Sequence, residues 1–238
     1  MKKTVECITD NLYTLSYYDD SWQSYNNMYF YILNKDIGFI DSGKNEHKEV
    51  IREVLNKFNR GVSDVSWFIA THGHKDHIGG SGVFSNADKF IHKRDINLLS
   101  NEFKLLFKDI SDFKKEFKYD FRFEIIYLGH HTNGSIAIYD HELKILFLGD
   151  HICFFGLPLS EEGIIYEGYK LRKKVKELIK EIVEDPETYE KENLGLFFNG
   201  LKKLLKYNIK YLCTGHGIVL KNEVENFIKE IISLDING

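Results

Sequence analysis

The sequence predicts an α/β protein, and three observations carry that expectation. Short runs of aromatic and β-branched residues recur along the 238-residue chain. Segments with apolar residues at helical spacing alternate with them. His, Asp and Gly gather where the extended runs end, as they do in α/β folds that place their chemistry at strand termini. An apolar share of 43% suits a globular chain with a sizeable core. A formal net charge of -4, with no long run of one sign, predicts neither nucleic acid nor a membrane as partner, and leaves a small-molecule substrate. No apolar run is long enough to span a bilayer. The N-terminus has two lysines but no apolar stretch behind them, so it reads as the start of a strand, not a signal peptide. Cys7, Cys153 and Cys213 are widely spaced and form no CxxC, which predicts a reducing, cytoplasmic setting.

The elements follow in order. "LYTLSYY" (12–18) and "MYFYILN" (28–34) have strand composition, and "IGFID" (37–41) follows a Lys-Asp turn as a hairpin partner. Val50, Ile51, Val54, Leu55 and Phe58 have helical spacing, closed by Gly61. "WFIAT" (67–71) is a short apolar run suited to a buried strand. Leu98, Leu99, Phe103, Leu106, Phe107 and Ile110 predict a helix. "FEIIYLG" (123–129), "SIAIYD" (135–140) and "KILFLGD" (144–150) read as three strands, the last two joined by a tight turn. Residues 166–207 become charged and helical, divided at Pro186. "KYLCTGHG" (210–217) reads as a last strand, and Val224, Phe227, Ile228 and Ile231 as a terminal amphipathic helix. No linker or repeat interrupts this pattern, so one domain over 1–238 is expected.

The chemistry concentrates in "ATHGHKDHIGG" (70–80), directly after a strand. In an extended segment side chains two apart face the same way, so His72 and His74 can meet one metal ion. Asp76 and His77 fall on the following turn and can meet a second. Imidazole and carboxylate are ligands for zinc, iron or manganese. Further ligands are offered at other strand ends: His130 and His131 in "HHTNGS", Asp150 in "FLGD" and His216 in "CTGHG".

This ordered set, "THGHKDH", "HTNGS", "FLGD" and "TGHG", resembles the metallo-β-lactamase superfamily. "IDSG" (40–43) is similar to the family's early strand-end Asp-x-Gly. The resemblance implies a four-layer αββα sandwich, with a helical insertion at about 166–207 before the strand of the last ligand. It implies one metal site of His72, His74 and His131, and another of Asp76, His77 and His216, with Asp150 bridging both. Asp41 would orient a ligand histidine or shape the loop. The family often has Gly-His-Thr-Pro-Gly-Ser where this chain has "HHTNGS". The ligand could thus be His130, although the Thr and Gly-Ser register favours His131. His151 is expected either to touch substrate or to lie on the surface. His47, His92 and His141 are expected to face solvent, and Cys213 to be buried.

The resemblance implies a metal-dependent hydrolase. Two divalent ions about 3.5–4 Å apart can share a water and make it hydroxide at neutral pH. Asp76 and Asp150 are the candidate catalytic carboxylates that accept or relay protons. The expected ions are two zincs, with iron or manganese as the other candidates. An ester, thioester, lactone, β-lactam or phosphodiester would suit that chemistry. The alternative is an iron-dependent oxidoreductase, either persulfide dioxygenase-like or a di-iron oxygen or nitric oxide reductase. In the di-iron branch the second loop residue is usually Glu, where this chain has His74, which argues against that branch; the motif resembles a single-iron persulfide dioxygenase more closely. A non-catalytic sensor is disfavoured by the complete ligand set. Two segments are candidate walls for a substrate: the helices of 166–207 as a lid carrying Tyr166, Tyr169, Phe197 and Phe198, or as a plain cover for the core, and the aromatic loop "YYDDSWQSYNNMY" (17–29).

Overall fold

The computed structural model describes residues 2–34, 36–116, 122–159 and 163–236. Four antiparallel strands open the chain: β1 (Lys3–Thr9), β2 (Leu12–Asp19), β3 (Ser24–Leu33) and β4 (Asp36–Ile40). Lys35, in the expected β3–β4 turn, lies outside the described residues. Helix α1 (Lys48–Lys57) leads to β5 (Val65–Ile69), which pairs in parallel with β4. The short helix α2 (Lys75–Ile78) precedes β6 (Asp88–Ile91). Helix α3 (Asn101–Lys104), β7 (Phe107–Asp109) and helix α4 (Ile110–Glu116) follow, and β6 and β7 extend the sheet in parallel. The first sheet therefore runs β1-β2-β3-β4-β5-β6-β7.

The second sheet collects β8 (Phe123–Tyr127), β9 (Ile136–Asp140), β10 (Ile145–Gly149), β11 (Ile165–Tyr166), β12 (Tyr211–Thr214) and β13 (Val219–Lys221). Its order is β11-β13-β12-β10-β9-β8. Between β11 and β12 come α5 (Tyr169–Glu184), α6 (Pro186–Lys191) and α7 (Leu194–Leu204), and α8 (Val224–Ile232) closes the described chain.

Strand β3 shows how these pieces stack. Successive side chains alternate across a strand, and both faces of β3 are buried. Tyr29 and Tyr31 face the second sheet, with ring centroids 5.2 Å from Phe147 and 5.4 Å from Phe123. Met28 and Phe30 face the other way and join Ile51, Val54 and Leu55 of α1. On the far side, Ile179, Phe198, Leu201 and Phe227 from α5, α7 and α8 share a cluster with Phe147 and Leu212. The layers are helix, sheet, sheet, helix, as the αββα expectation requires. A bridge between Asn26 and His216 ties the two sheets at one edge.

One expectation changes. The helix expected over 98–110 is α3, a strand and the start of α4 instead. Leu98, Leu105 and Leu106 are exposed, whereas Phe107 is buried in a strand pairing with β6. An open sheet edge beside this segment outcompeted its helical spacing. Of the two readings offered for the helices of 166–207, the packing favours the cover for the core. Pro186 occupies the first turn of α6, behind an Asp185 cap. Phe197 and Phe198 are buried against the second sheet, while Tyr166 and Tyr169 face solvent. Phe198→Ala is therefore expected to cost about 3–5 kcal/mol, and Tyr169→Ala less than about 1 kcal/mol. Thermal melting of the two variants checks the contrast.

Candidate metal centre

The site is assembled from loops at strand ends along one edge of the sandwich. β4, β5 and β6 are mutually parallel, as are β10 and β12, so their C-terminal ends gather. After β5 the backbone turns through Thr71–Gly73 into α2, which presents Asp76 and His77. The amide of Ser42 donates to the His77 carbonyl (2.7 Å), and that of Ile136 donates to the Thr71 carbonyl (2.9 Å). The loop is thus stitched to its neighbours on both sides. Past β12, Asn27 and Tyr29 donate side-chain hydrogen bonds to the Thr214 carbonyl (3.0 and 2.7 Å) and hold the approach to His216.

Two groups of donor atoms result. His72, His74 and His131 form the first; Asp76, His77, Asp150 and His216 form the second. In the first, His74 Nδ1 lies 3.1 Å from His72 Nε2 and 3.0 Å from His131 Nε2. In the second, His216 Nε2 is 3.1 Å from Asp76 Oδ2, and His77 Nε2 is 3.3 Å from Asp150 Oδ1. Asp150 faces both groups. Its Oδ2 lies 3.3 Å from His216 Nε2, 3.5 Å from His131 Nε2 and 3.9 Å from His72 Nε2. The structure therefore brings together all seven residues expected from the sequence.

The electrostatics suit cations. Burial, aided by the charge of His77, drives His72 well below the usual imidazole range. Burial brings His131 down to about 4. Both are then neutral with a free lone pair, the form that binds metal. Burial would raise Asp150, but the adjacent His77 and His216 outweigh it and hold the carboxylate well below its usual range. Burial would lower His77, but Asp150 and Asp41 outweigh that in turn. His77 Nε2 and Asp150 Oδ1 are buried and make no hydrogen bond. Such orphaned atoms are costly unless a cation satisfies them, so the residues present fit a pair of metal ions.

The surrounding residues aim the donors. Asp41, expected to orient a ligand, accepts from His77 Nδ1 (2.8 Å), the Thr71 amide (2.8 Å) and the Thr71 hydroxyl (2.8 Å). The His77 proton is thereby fixed on Nδ1, and Nε2 is left for the cluster. Asp95 braces the loops on the other side and carried no signal in the sequence. It is fully buried and accepts from the Gly73 amide (2.8 Å), the Thr132 hydroxyl (2.6 Å) and the Gly134 amide (2.6 Å). It clamps the loop of His72 and His74 to the loop of His131. At Gly215 an added Cβ would fall 2.0 Å from Asp150 Oδ1, so the close approach of β12 to the centre requires glycine there.

His130 is excluded from the cluster. Its Nε2 donates to the Glu192 carbonyl (3.0 Å) between α6 and α7. His131→Ala should accordingly lower metal content, while His130→Ala leaves it near the starting value; metal analysis of the two variants decides the register. His151 neither touches the cleft nor faces solvent: it is buried and donates to the Phe197 carbonyl (3.0 Å), with burial lowering its pKa to about 3. His47, expected at the surface, is buried against Tyr17 and accepts from the Lys44 amide (3.0 Å). His92 is half-buried, His141 is exposed, and Cys213 is buried in β12. Trp22, from the aromatic loop, sets its ring edge-on to His216 at 4.7 Å.

The sequence pattern of the metallo-beta-lactamase superfamily matches residues 25–216, most of the chain and every cluster residue. The chain belongs to this superfamily. Among solved structures, a mutant flavo di-iron protein from Thermotoga maritima matches at TM-score 0.75 and 20% identity, covering 98% of this chain and 62% of that one. The flavodiiron protein from Giardia intestinalis matches at TM-score 0.72 and 19% identity, covering 98% and 59%. The rubredoxin oxygen:oxidoreductase of the anaerobe Desulfovibrio gigas matches at TM-score 0.72 and 13% identity, covering 97% and 61%. The chain thus spans about six tenths of the length of these proteins.

The expectation of a hydrolase is corrected by these matches: the three structures named bear the names of flavo di-iron proteins and of an oxidoreductase, and none of a hydrolase. The hydrolytic reading had rested on the ligand set, which many reactions of one fold share. No helix among the described residues is long and apolar enough to cross a membrane.

Proposed function

We propose that this superfamily member is an iron-dependent oxidoreductase with a binuclear centre, acting on a small molecule such as dioxygen or nitric oxide. The position of Asp150 carries the binuclear part of this reading, since its carboxylate faces a three-histidine cluster and a mixed His/Asp cluster at once. The fold shared with flavo di-iron proteins supports iron over zinc.

His72, His74 and His131 would hold one ion, Asp76, His77 and His216 the other, and Asp150 both. Iron bound there supplies what a hydrolytic metal lacks, the ability to give up and regain electrons. The chain's own groups do the rest. Asp41 keeps the His77 proton on Nδ1. Asp76 lines a cleft and sits against His216 Nε2, so its carboxylate is placed to take or return a proton on the substrate side. His74 contributes a neutral donor where di-iron relatives usually have Glu. The first cluster therefore carries less negative charge, which favours the reduced ion. His74→Glu should move its reduction potential in the negative direction.

The test is metal analysis and gas uptake. Protein reconstituted with iron should hold about two ions per chain, be coloured, and consume dioxygen or nitric oxide when a chemical reductant is supplied. Removing the ions should lower the melting temperature, because ligands bound only by the folded state stabilise it. Two iron ions with no reductant-dependent uptake of either gas would refute the activity. Full activity with one ion would refute the binuclear centre.

A further inference from the structure

Beside the second cluster lies a cleft of about 490 Å³. A diatomic gas needs little more room than a water molecule, roughly 30 Å³, whereas clefts of some 300–1,000 Å³ are the size that small organic ligands occupy. Its walls are largely apolar: Trp22, Ile78, Leu98 and Phe103 line it, and Asp76 enters from the metal side. Leu98 keeps 53% of its surface exposed there, an apolar patch next to reactive groups. Trp22 is braced on two sides. Its ring lies under Lys44 Nζ at 4.1 Å, and Lys44 is in turn ion-paired with Asp19. The same ring meets His216 edge-on. A rigid aromatic wall that touches a cluster histidine orients a flat or bulky apolar group toward the centre.

We infer that the cleft takes an organic substrate with an apolar body about the size of an aromatic ring, seated against Trp22, Leu98 and Phe103 with its reacting end at Asp76. The reacting end rests on the metal centre proposed above; the seat of the body rests on the cleft alone.

Acetate and phenylacetate separate the two parts, since both offer the same carboxylate to the centre and differ only in the body. Binding is followed on metal-loaded protein by tryptophan emission. The chain has two tryptophans, and Trp67 is fully buried, so Trp22 is the reporter. Phenylacetate should bind at least about tenfold tighter than acetate, the gain expected from burying a ring. Leu98→Gln should reduce that advantage to within about threefold without changing melting temperature or metal content, because Leu98 is half-exposed. Phe103→Ala should act in the same direction. Equal affinities for the two acids, or an advantage untouched by Leu98→Gln, would overturn the inference. These readouts need no turnover. Absent gas uptake with a retained phenylacetate advantage would fell the proposed oxidoreductase and leave the cleft; the converse result would do the opposite.

Discussion

Asp150→Ala is expected to strip the centre of both ions. The carboxylate is placed against donors of both clusters, within 3.3 Å of His77 and His216 and 3.5 Å of His131. It is also the anion that keeps His77 raised well above the usual imidazole range, together with Asp41. Without it, His77 keeps only Asp41 and His216 only Asp76 as carboxylate partner, and the clusters lose their link. Replacing groups that only orient ligands typically costs 10–100-fold in affinity or activity, so losing a shared ligand should cost more than about a hundredfold. Metal content should fall from about two ions per chain to less than one. His130→Ala and His151→Ala, whose ring nitrogens bond to the α6–α7 region instead, should stay within about tenfold of the starting activity. Metal analysis beside gas uptake on the three variants checks this ordering. Retention of both ions in Asp150→Ala would remove the bridge from the proposal.

The second large effect is expected at Asp95, which touches no cluster residue's side chain yet closes the site. Asp95→Ala leaves the amides of Gly73 and Gly134 and the Thr132 hydroxyl without their acceptor. A buried group left unsatisfied costs about 1–3 kcal/mol, and three together should lower stability by on the order of 3 kcal/mol or more. The loop of His131 should also drift from the loop of His72 and His74, so the first ion should bind more weakly than the second. Asp95→Asn keeps one acceptor oxygen and should recover part of the stability. Melting temperature together with a stepwise metal titration distinguishes positioning from plain destabilisation. If both ions bind with unchanged affinity in the folded variant, Asp95 is structural only.

The hydrolase expectation and the seven-residue set show where sequence reasoning held and where it stopped. "THGHKDH" announces ligands because imidazoles two apart on an extended run share a face, and that is a local property. The same seven donors serve hydrolysis and redox chemistry alike, so the reaction was beyond them. Between His130 and His131 the Thr and Gly-Ser register favoured His131 without deciding the matter. Adjacent residues on one loop differ only in direction, and that direction depends on the Glu192 carbonyl, sixty-two residues away from His130.

The sequence by itself determined the strands at 12–18, 28–34, 37–41 and 67–71, the helix after "DSG" and the strand-end residues that make the clusters. All of these follow from side-chain period and backbone propensity within some ten residues. The tertiary structure alone decided the rest: that 98–110 pairs at a sheet edge, that Phe197 and Phe198 belong to the core, that His47 and His151 are buried, and that Asp95 joins two loops. Each of those outcomes is a competition between distant partners for the same surface or hydrogen bond, and a local pattern carries no information about which partner wins.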